Sequence, residues 1–428
     1  MNWTNIAKQS VVTLFFVFPT FIYICVGYAK NSLYEQYLTP YVILLFFFFV
    51  FSFLKNTNIR IVLVTAWLFV ALQPIYFYYE SNYIIKKFPK NFKVQITSND
   101  IYGLDEKFLA SYDNFGWRNS GHNLNDLKSF SSDKVIIFLG GSTVEQSYIP
   151  DEKTSAGLIQ QFLKKNQNDY EIINTGVSGL RGYHNLLLMN YLNNIIPEEK
   201  EIIYINLIGL NDWSYSLKAL LDNQNRSSNP LIRGGPLNFK SLFHPQYFLL
   251  TNIIRSVRNN FMTYQNKTIS YDFDQQHKNV FSTYNEKTKI TFDNDKYEKM
   301  IAWYSEILEN IISKCEDRNN TKCIFLDQPV SWHEGNFNDL NYTDTLWMTP
   351  SYNEVAMSPE SLIRVSNEFN LKLKQKVSQC SSQKCHFIAA SKIISSPKNF
   401  YDDAHFNNFG ANKIYDIIKN YLLSSNLQ

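Results

Sequence analysis

Val135-Ile136-Ile137-Phe138-Leu139-Gly140-Gly141-Ser142-Thr143 runs five apolar residues into a glycine pair and two small hydroxyl side chains. A run of strand length without polar alternation fits a parallel strand covered on both faces. Downstream, Thr154–Lys165 has helical spacing, with Leu158, Phe162 and Leu163 on one face. The alternation then repeats. Tyr170–Asn174, Ile202–Ile208, Cys323–Leu326 and Phe387–Ala389 read as strands. His184–Ile196, Tyr297–Cys315, Pro359–Val377 and Ala411–Leu423 read as helices. This order predicts an α/β domain over residues 111–428 with a parallel sheet wrapped on both sides and sites at the carboxyl ends of the strands. Trp213–Asn294, rich in Asn, Ser and aromatics, shows no sheet pattern and reads as an insertion beside the site.

Upstream the solvent changes. Residues 1–85 contain six charges (Lys8, Lys30, Glu35, Lys55, Arg60 and Glu80), against 41 Lys plus Arg and 38 Asp plus Glu in all 428 residues. Val11–Ala29, Tyr37–Leu54 and Ile61–Tyr79 are 18 or 19 residues long and free of charge. Each is long enough for a hydrocarbon core of ~30 Å at ~1.5 Å per residue. Trp3, Tyr28, Tyr37, Tyr76, Tyr78 and Tyr79 lie near the run ends, where amphipathic rings favour the interface. A cleaved signal peptide does not fit, because the first run is long, contains Pro19, lacks a small-residue cleavage site and is followed by two more runs. The sequence therefore predicts three transmembrane helices in contact with lipid. A basic juxtamembrane linker follows at 86–110, with Lys86, Lys87, Lys90 and Lys93. The whole-chain charge of +3 offers no footprint for nucleic acid, and 45% apolar against 18% charged residues excludes a mainly disordered chain.

Three predicted strands end in residues suited to acyl transfer. The first delivers Gly140-Gly141-Ser142-Thr143, the second Asn174 to Gly179 and the third Gly209-Leu210-Asn211-Asp212. Near the C-terminus stands Asp402-Asp403-Ala404-His405. Above a parallel sheet, Ser142 in a glycine-flanked turn would expose its hydroxyl at a helix start. His405 is a candidate general base, with Asp402 three residues earlier to reach its other ring nitrogen. The Gly179 N–H and the Asn211 amide are candidate oxyanion donors. Taken singly, each block has a plainer reading: a tight turn, an Asn in a left-handed turn, a helix cap.

The order Ser, Gly, Asn, Asp-x-x-His resembles the SGNH (GDSL-type) hydrolases over roughly Tyr112 to Leu423. That resemblance implies a three-layer α/β/α, flavodoxin-like domain and a serine esterase needing no metal or organic cofactor. It implies Ser142, Asp402 and His405 as the triad, and Ser142, Gly179 and Asn211 as the oxyanion hole. The family's usual Gly-Asp-Ser-Leu reads Gly140-Gly141-Ser142-Thr143 here, so the turn lacks one hydrogen-bond partner. Gly-Gly-Ser forms, like the lead-in Asp113-Asn114-Phe115-Gly116-Trp117-Arg118, resemble membrane-tethered members that act on surface polysaccharide or envelope esters. The implied substrate is an acyl ester, with O-acetyl groups on a surface glycan foremost. Trp213, Tyr215, Trp332 and Trp347 would supply aromatic surface to such a glycan. A lipid ester, or a non-catalytic glycan-binding scaffold, are the alternatives.

His122, His244, His277, His333 and His386 have no ligand-spaced partners, and His184, Asp212 and Asp403 read as structural. Tyr247, Leu250, Ile253, Ile254, Val257 and Phe261 recur at helical spacing opposite Arg255 and Arg258, a pattern that suits packing on the domain or lying on lipid. Orientation is disputed between two signals. Lys8, Lys55 and Arg60 lie on one side of the spans, and Lys30, Lys86, Lys87, Lys90 and Lys93 on the other, which favours a cytoplasmic domain. Cys315…Cys323 and Cys380…Cys385 suggest two local disulfides and an oxidising compartment. Charges leading into a large domain weigh little, so the domain is expected outside the cytoplasm with both pairs bonded.

Overall fold

The computed structural model describes residues 93–98, 101–113, 115–119, 132–221, 269–272, 287–332, 351–352, 355–380 and 383–424. All belong to one compact unit, Ile85–Arg233 with Asn260–Gln428. The three expected spans and the amphipathic Tyr247–Phe261 segment lie outside the described residues. Among the described residues no helix is long and apolar enough to cross a membrane.

Two strands open the unit, β1 (Lys93–Thr97) and β2 (Lys107–Ser111), within the stretch read from sequence as a linker. They pair antiparallel, and β6 (Ile269–Asp272) adds to β1 in parallel. Between β2 and β6 come β3 (Lys134–Gly140), α1 (Ser142–Glu145), α2 (Ser155–Lys165), β4 (Tyr170–Asn174), α3 (Gly182–Ile195), β5 (Glu201–Leu207) and α4 (Leu210–Leu221). Beyond β6 follow β7 (Thr288–Ile290), α5 (Asn294–Glu316), β8 (Thr321–Leu326), β9 (Ser351–Tyr352), β10 (Val355–Met357), α6 (Pro359–Ser378), β11 (Cys385–Ile388), α7 (Ala390–Ile393) and α8 (Asn408–Ser424).

The central sheet is five-stranded and parallel, ordered β11-β8-β5-β3-β4. Counting its own strands in chain order gives 2-1-3-4-5, the flavodoxin-like doubly wound arrangement. The continuous apolar run of β3 is explained by the two cores it serves. Val135, Ile137 and Leu139 enter one buried cluster, which α3, α4, α5 and α6 cover. Ile136 and Phe138 enter the other, beneath α2, α7 and α8. β5 divides likewise, with Ile202 and Tyr204 on the first face and Ile203 and Ile205 on the second. Alternate side chains of a strand face opposite ways, so a strand buried on both faces is apolar at most positions rather than at every second one. Truncating Ile137, fully buried at the centre, would remove about 2–5 kcal/mol.

Trp213, read from sequence as the first residue of an insertion, sits inside α4 with its ring buried. The far end of that stretch is also built in: β7 pairs in parallel with β10. Both expected disulfides are present. Cys315 of α5 joins Cys323 of β8, and Cys380, just after α6, joins Cys385 of β11.

Candidate active site

At the end of β3 the backbone passes through two positions with no room for a side chain. A Cβ on Gly140 would lie 2.4 Å from Val144 Cγ2 and 2.6 Å from the Leu207 carbonyl oxygen. A Cβ on Gly141 would lie 2.3 Å from Asn211 Nδ2. These contacts give a reason for Gly141 where the family pattern has Asp. The side-chain amide of the third block occupies that space. Ser142 then opens the short helix α1, and Gln146 closes it in a left-handed conformation at φ 52°. The Gln146 side chain fastens the turn to α2, accepting from the Ser155 N–H at 2.7 Å and donating to Ser155 Oγ at 2.8 Å.

The loop before α8 carries the residues facing Ser142. His405 Nε2 lies 2.6 Å from Ser142 Oγ, and His405 Nδ1 lies 2.6 Å from Asp402 Oδ2. Asp402 Oδ1 accepts the backbone N–H of Ala404 at 2.8 Å and of His405 at 2.7 Å, which fixes the carboxylate beneath the ring. Both side chains are almost wholly buried. Burial by itself would push Asp402 up, but the His405 charge and its hydrogen bonds outweigh that and hold the carboxyl below its usual range. Burial by itself would push His405 down, and the Asp402 carboxylate more than reverses it, with Asp403 and Glu145 adding to the upward shift. Tyr401 stacks on the His405 ring at 5.5 Å and 6° between planes, and Tyr148 meets Tyr401 edge-on at 5.6 Å.

The second and third blocks close on the same spot. Gly179 has φ +80°, a conformation that favours glycine. Among the described residues the N–H groups of Ser142 and Gly179 have no acceptor. The Asn211 amide donates one hydrogen to the Leu180 carbonyl at 2.7 Å and abuts Gly141. Asp212, beside it, is fully buried and accepts the Gly182 N–H at 3.1 Å, fastening the start of α3 to α4. Burial raises its pKa to about 6 against the opposing pull of Arg181. Asp403 accepts from Trp332 Nε1 at 3.2 Å, and His184 Nδ1 accepts the Arg181 N–H at 3.1 Å. Those three are structural in their contacts.

Glu145, like Tyr148 and Tyr401, escaped the sequence reading. Glu145, the last residue of α1, is completely buried. Its Oε2 accepts the Ser178 N–H at 2.5 Å and the Ser178 hydroxyl at 2.7 Å, and its Oε1 accepts the Tyr112 hydroxyl at 2.9 Å. The available signal was a lone carboxylate three residues after Ser142 in a turn with no solvent-facing side. The aromatics proposed for glycan contact need correction. Trp213 and Trp332 are core residues, 0% and 3% exposed, because α4 and the segment after β8 pack their rings together at 5.8 Å, tilted by 53°. Tyr215 lies beneath the Arg181 guanidinium at 3.8 Å, and Trp347 is outside the described residues. Among the described residues, Tyr401 and, behind it, Tyr148 stand beside His405. Among the described residues no group of three or more His, Cys, Asp and Glu is arranged to hold a metal ion.

No protein-family model and no curated protein sequence matches the chain. Similar solved structures include esterases and a lipase. An acetyl xylan esterase from Geobacillus stearothermophilus aligns at 10% identity and TM-score 0.34, covering 69% of this chain and 96% of that one. A carbohydrate acetylesterase from Sinorhizobium meliloti aligns at 12% and 0.33, covering 68% and 99%. A member of the lipolytic G-D-S-L family from Veillonella parvula aligns at 10% and 0.32, covering 67% and 96%. Likeness at this level carries no weight for function, which has to come from the site itself.

Proposed function

We propose that the chain is a membrane-tethered serine esterase or transacylase that acts on acyl esters, O-acetyl groups of an extracytoplasmic glycan foremost. The observation that supports it most is the pair of 2.6 Å contacts linking Ser142 Oγ, His405 and Asp402 in one line. In this reading Ser142 Oγ attacks the ester carbonyl while His405 Nε2 takes its proton. Asp402 holds the Nδ1–H tautomer and steadies the imidazolium. The carbonyl electrons collect on the oxyanion, bound by the Ser142 and Gly179 N–H groups and the Asn211 amide. His405 returns the proton to the leaving alcohol oxygen, leaving an acyl-serine. Water or an acceptor hydroxyl then adds by the same route and frees Ser142.

Tethering rests on the three uncharged runs before residue 85, and the extracytoplasmic side on the two cysteine pairs. The test is acetate release from an O-acetylated polysaccharide by the full chain in detergent, with Ser142→Ala as control. Release by the wild type alone is expected. Fatty-acid release from phospholipid in its place would transfer the reading to a lipid esterase. Glycan binding with no turnover of any ester would leave a scaffold.

A further inference from the structure

We infer that Glu145 is a positioning residue that sets the oxyanion hole by locking the Ser178–Gly179 turn to the helix that begins at Ser142; this rests on the esterase reading. The two N–H donors of that hole come from segments far apart in sequence, and something must fix their separation. α1 is only four residues long and has no side-chain cap, so the helix itself is a weak anchor. Glu145 supplies the fixture. The backbone N–H and the hydroxyl of Ser178, the residue before Gly179, both donate to Glu145 Oε2, at 2.5 and 2.7 Å.

The other side of the carboxylate is held as firmly. Tyr112, just beyond β2, donates to Oε1 at 2.9 Å, and its own hydroxyl is kept protonated by burial and by the Glu145 charge. The backbone closes the same gap, since a Cβ on Gly176 would lie 2.4 Å from the Glu145 N–H nitrogen. Asn174 Nδ2 donates to the Val144 carbonyl at 3.0 Å, so the strand end before the turn is tied to α1 as well. The carboxylate accepts on both oxygens: Oε2 takes the two Ser178 donors, which a glutamine oxygen could also take, and Oε1 takes the Tyr112 hydroxyl, for which an amide nitrogen is no acceptor. The charge has a second effect, because Glu145 is among the groups that raise His405.

Charge and tether are separable by substitution. Glu145→Gln keeps the shape and an acceptor oxygen for Ser178, while Glu145→Ala removes both. Turnover of p-nitrophenyl acetate by the full chain in detergent would be measured from acid to neutral pH. Glu145→Ala is expected to lower kcat by about 10²–10³, the effect of a misplaced oxyanion donor, with KM changed less than about threefold. Glu145→Gln is expected to keep kcat within about tenfold and to shift the acid limb of the profile to lower pH. Wild-type kcat in Glu145→Ala would overturn the inference, whereas the Glu145→Gln profile reports the charge alone. If the Ala variant does not fold, Ser178→Ala, which removes one of the two bonds to Glu145 Oε2, decides: kcat lowered about tenfold with KM little changed is expected, and a wild-type kcat would overturn the inference. Absence of turnover in the wild type would instead defeat the esterase reading, and is distinguished in that way.

Discussion

At the residue scale, the site joins a buried Asp402–His405 pair to N–H donors beside Ser142. Because Asp402 and its neighbours hold His405 above the ordinary imidazole value of about 6.5, the acid limb of kcat/KM is expected above that pH. Activity falls there because a protonated His405 takes no proton from Ser142. Asp402→Asn removes the charge, so the limb should move to lower pH while kcat drops by about 10⁴ through loss of the tautomer. A pH–rate series on both proteins checks this. An unmoved limb would mean another group titrates. Asn211→Ala should lower kcat by about 10²–10³ with little change in KM. An effect on KM alone would confine Asn211 to the ground state. Gly141→Ala drives a Cβ into Asn211 Nδ2, so its kcat should fall comparably, with near-ultraviolet circular dichroism intact.

Between elements, each disulfide ties a helix or its end to the strand that follows: α5 to β8 and the end of α6 to β11, both at one edge of the sheet. Cys315 and Cys323 are eight residues apart, and closing so short a loop stabilises by about 2.5 kcal/mol on the chain-entropy model. Replacing both with Ser should lower stability by about that amount in a denaturant melt, with esterase turnover kept in dilute buffer. What could be read at this scale follows from periodicity. Tyr170–Asn174 was legible to the residue, and β3 and β5 within one residue at each end, because each holds an unbroken apolar run at its centre, with polar residues such as Glu171, Asn174 and Asn206 confined towards the ends. α4 was missed because Trp213 and Tyr215 sit among Asn and Ser and mimic loop composition. β7, β9 and β10 are two or three residues long, too short for any period to show. Ser142, Asp402 and His405 could be singled out by block order, whereas Glu145 and Tyr401 act through a fold contact that no spacing reveals.

For the whole molecule, the proposed placement of the domain outside the cytoplasm rests on the two cysteine pairs and the three uncharged runs. Maleimide labelling of denatured, unreduced protein should modify Cys25 alone. Reaction at all five cysteines would refute the bonds and return the domain to the cytoplasm. None of this bears on whether Ser142 is activated, the point on which everything else turns. Fluorophosphonate labelling of the intact chain, with the adduct located by mass spectrometry, answers it without knowledge of the natural substrate. One adduct on Ser142, absent from Ser142→Ala and strongly slowed in His405→Ala, is the expected result. A wild type that never labels, or an adduct that persists in Ser142→Ala, would contradict it.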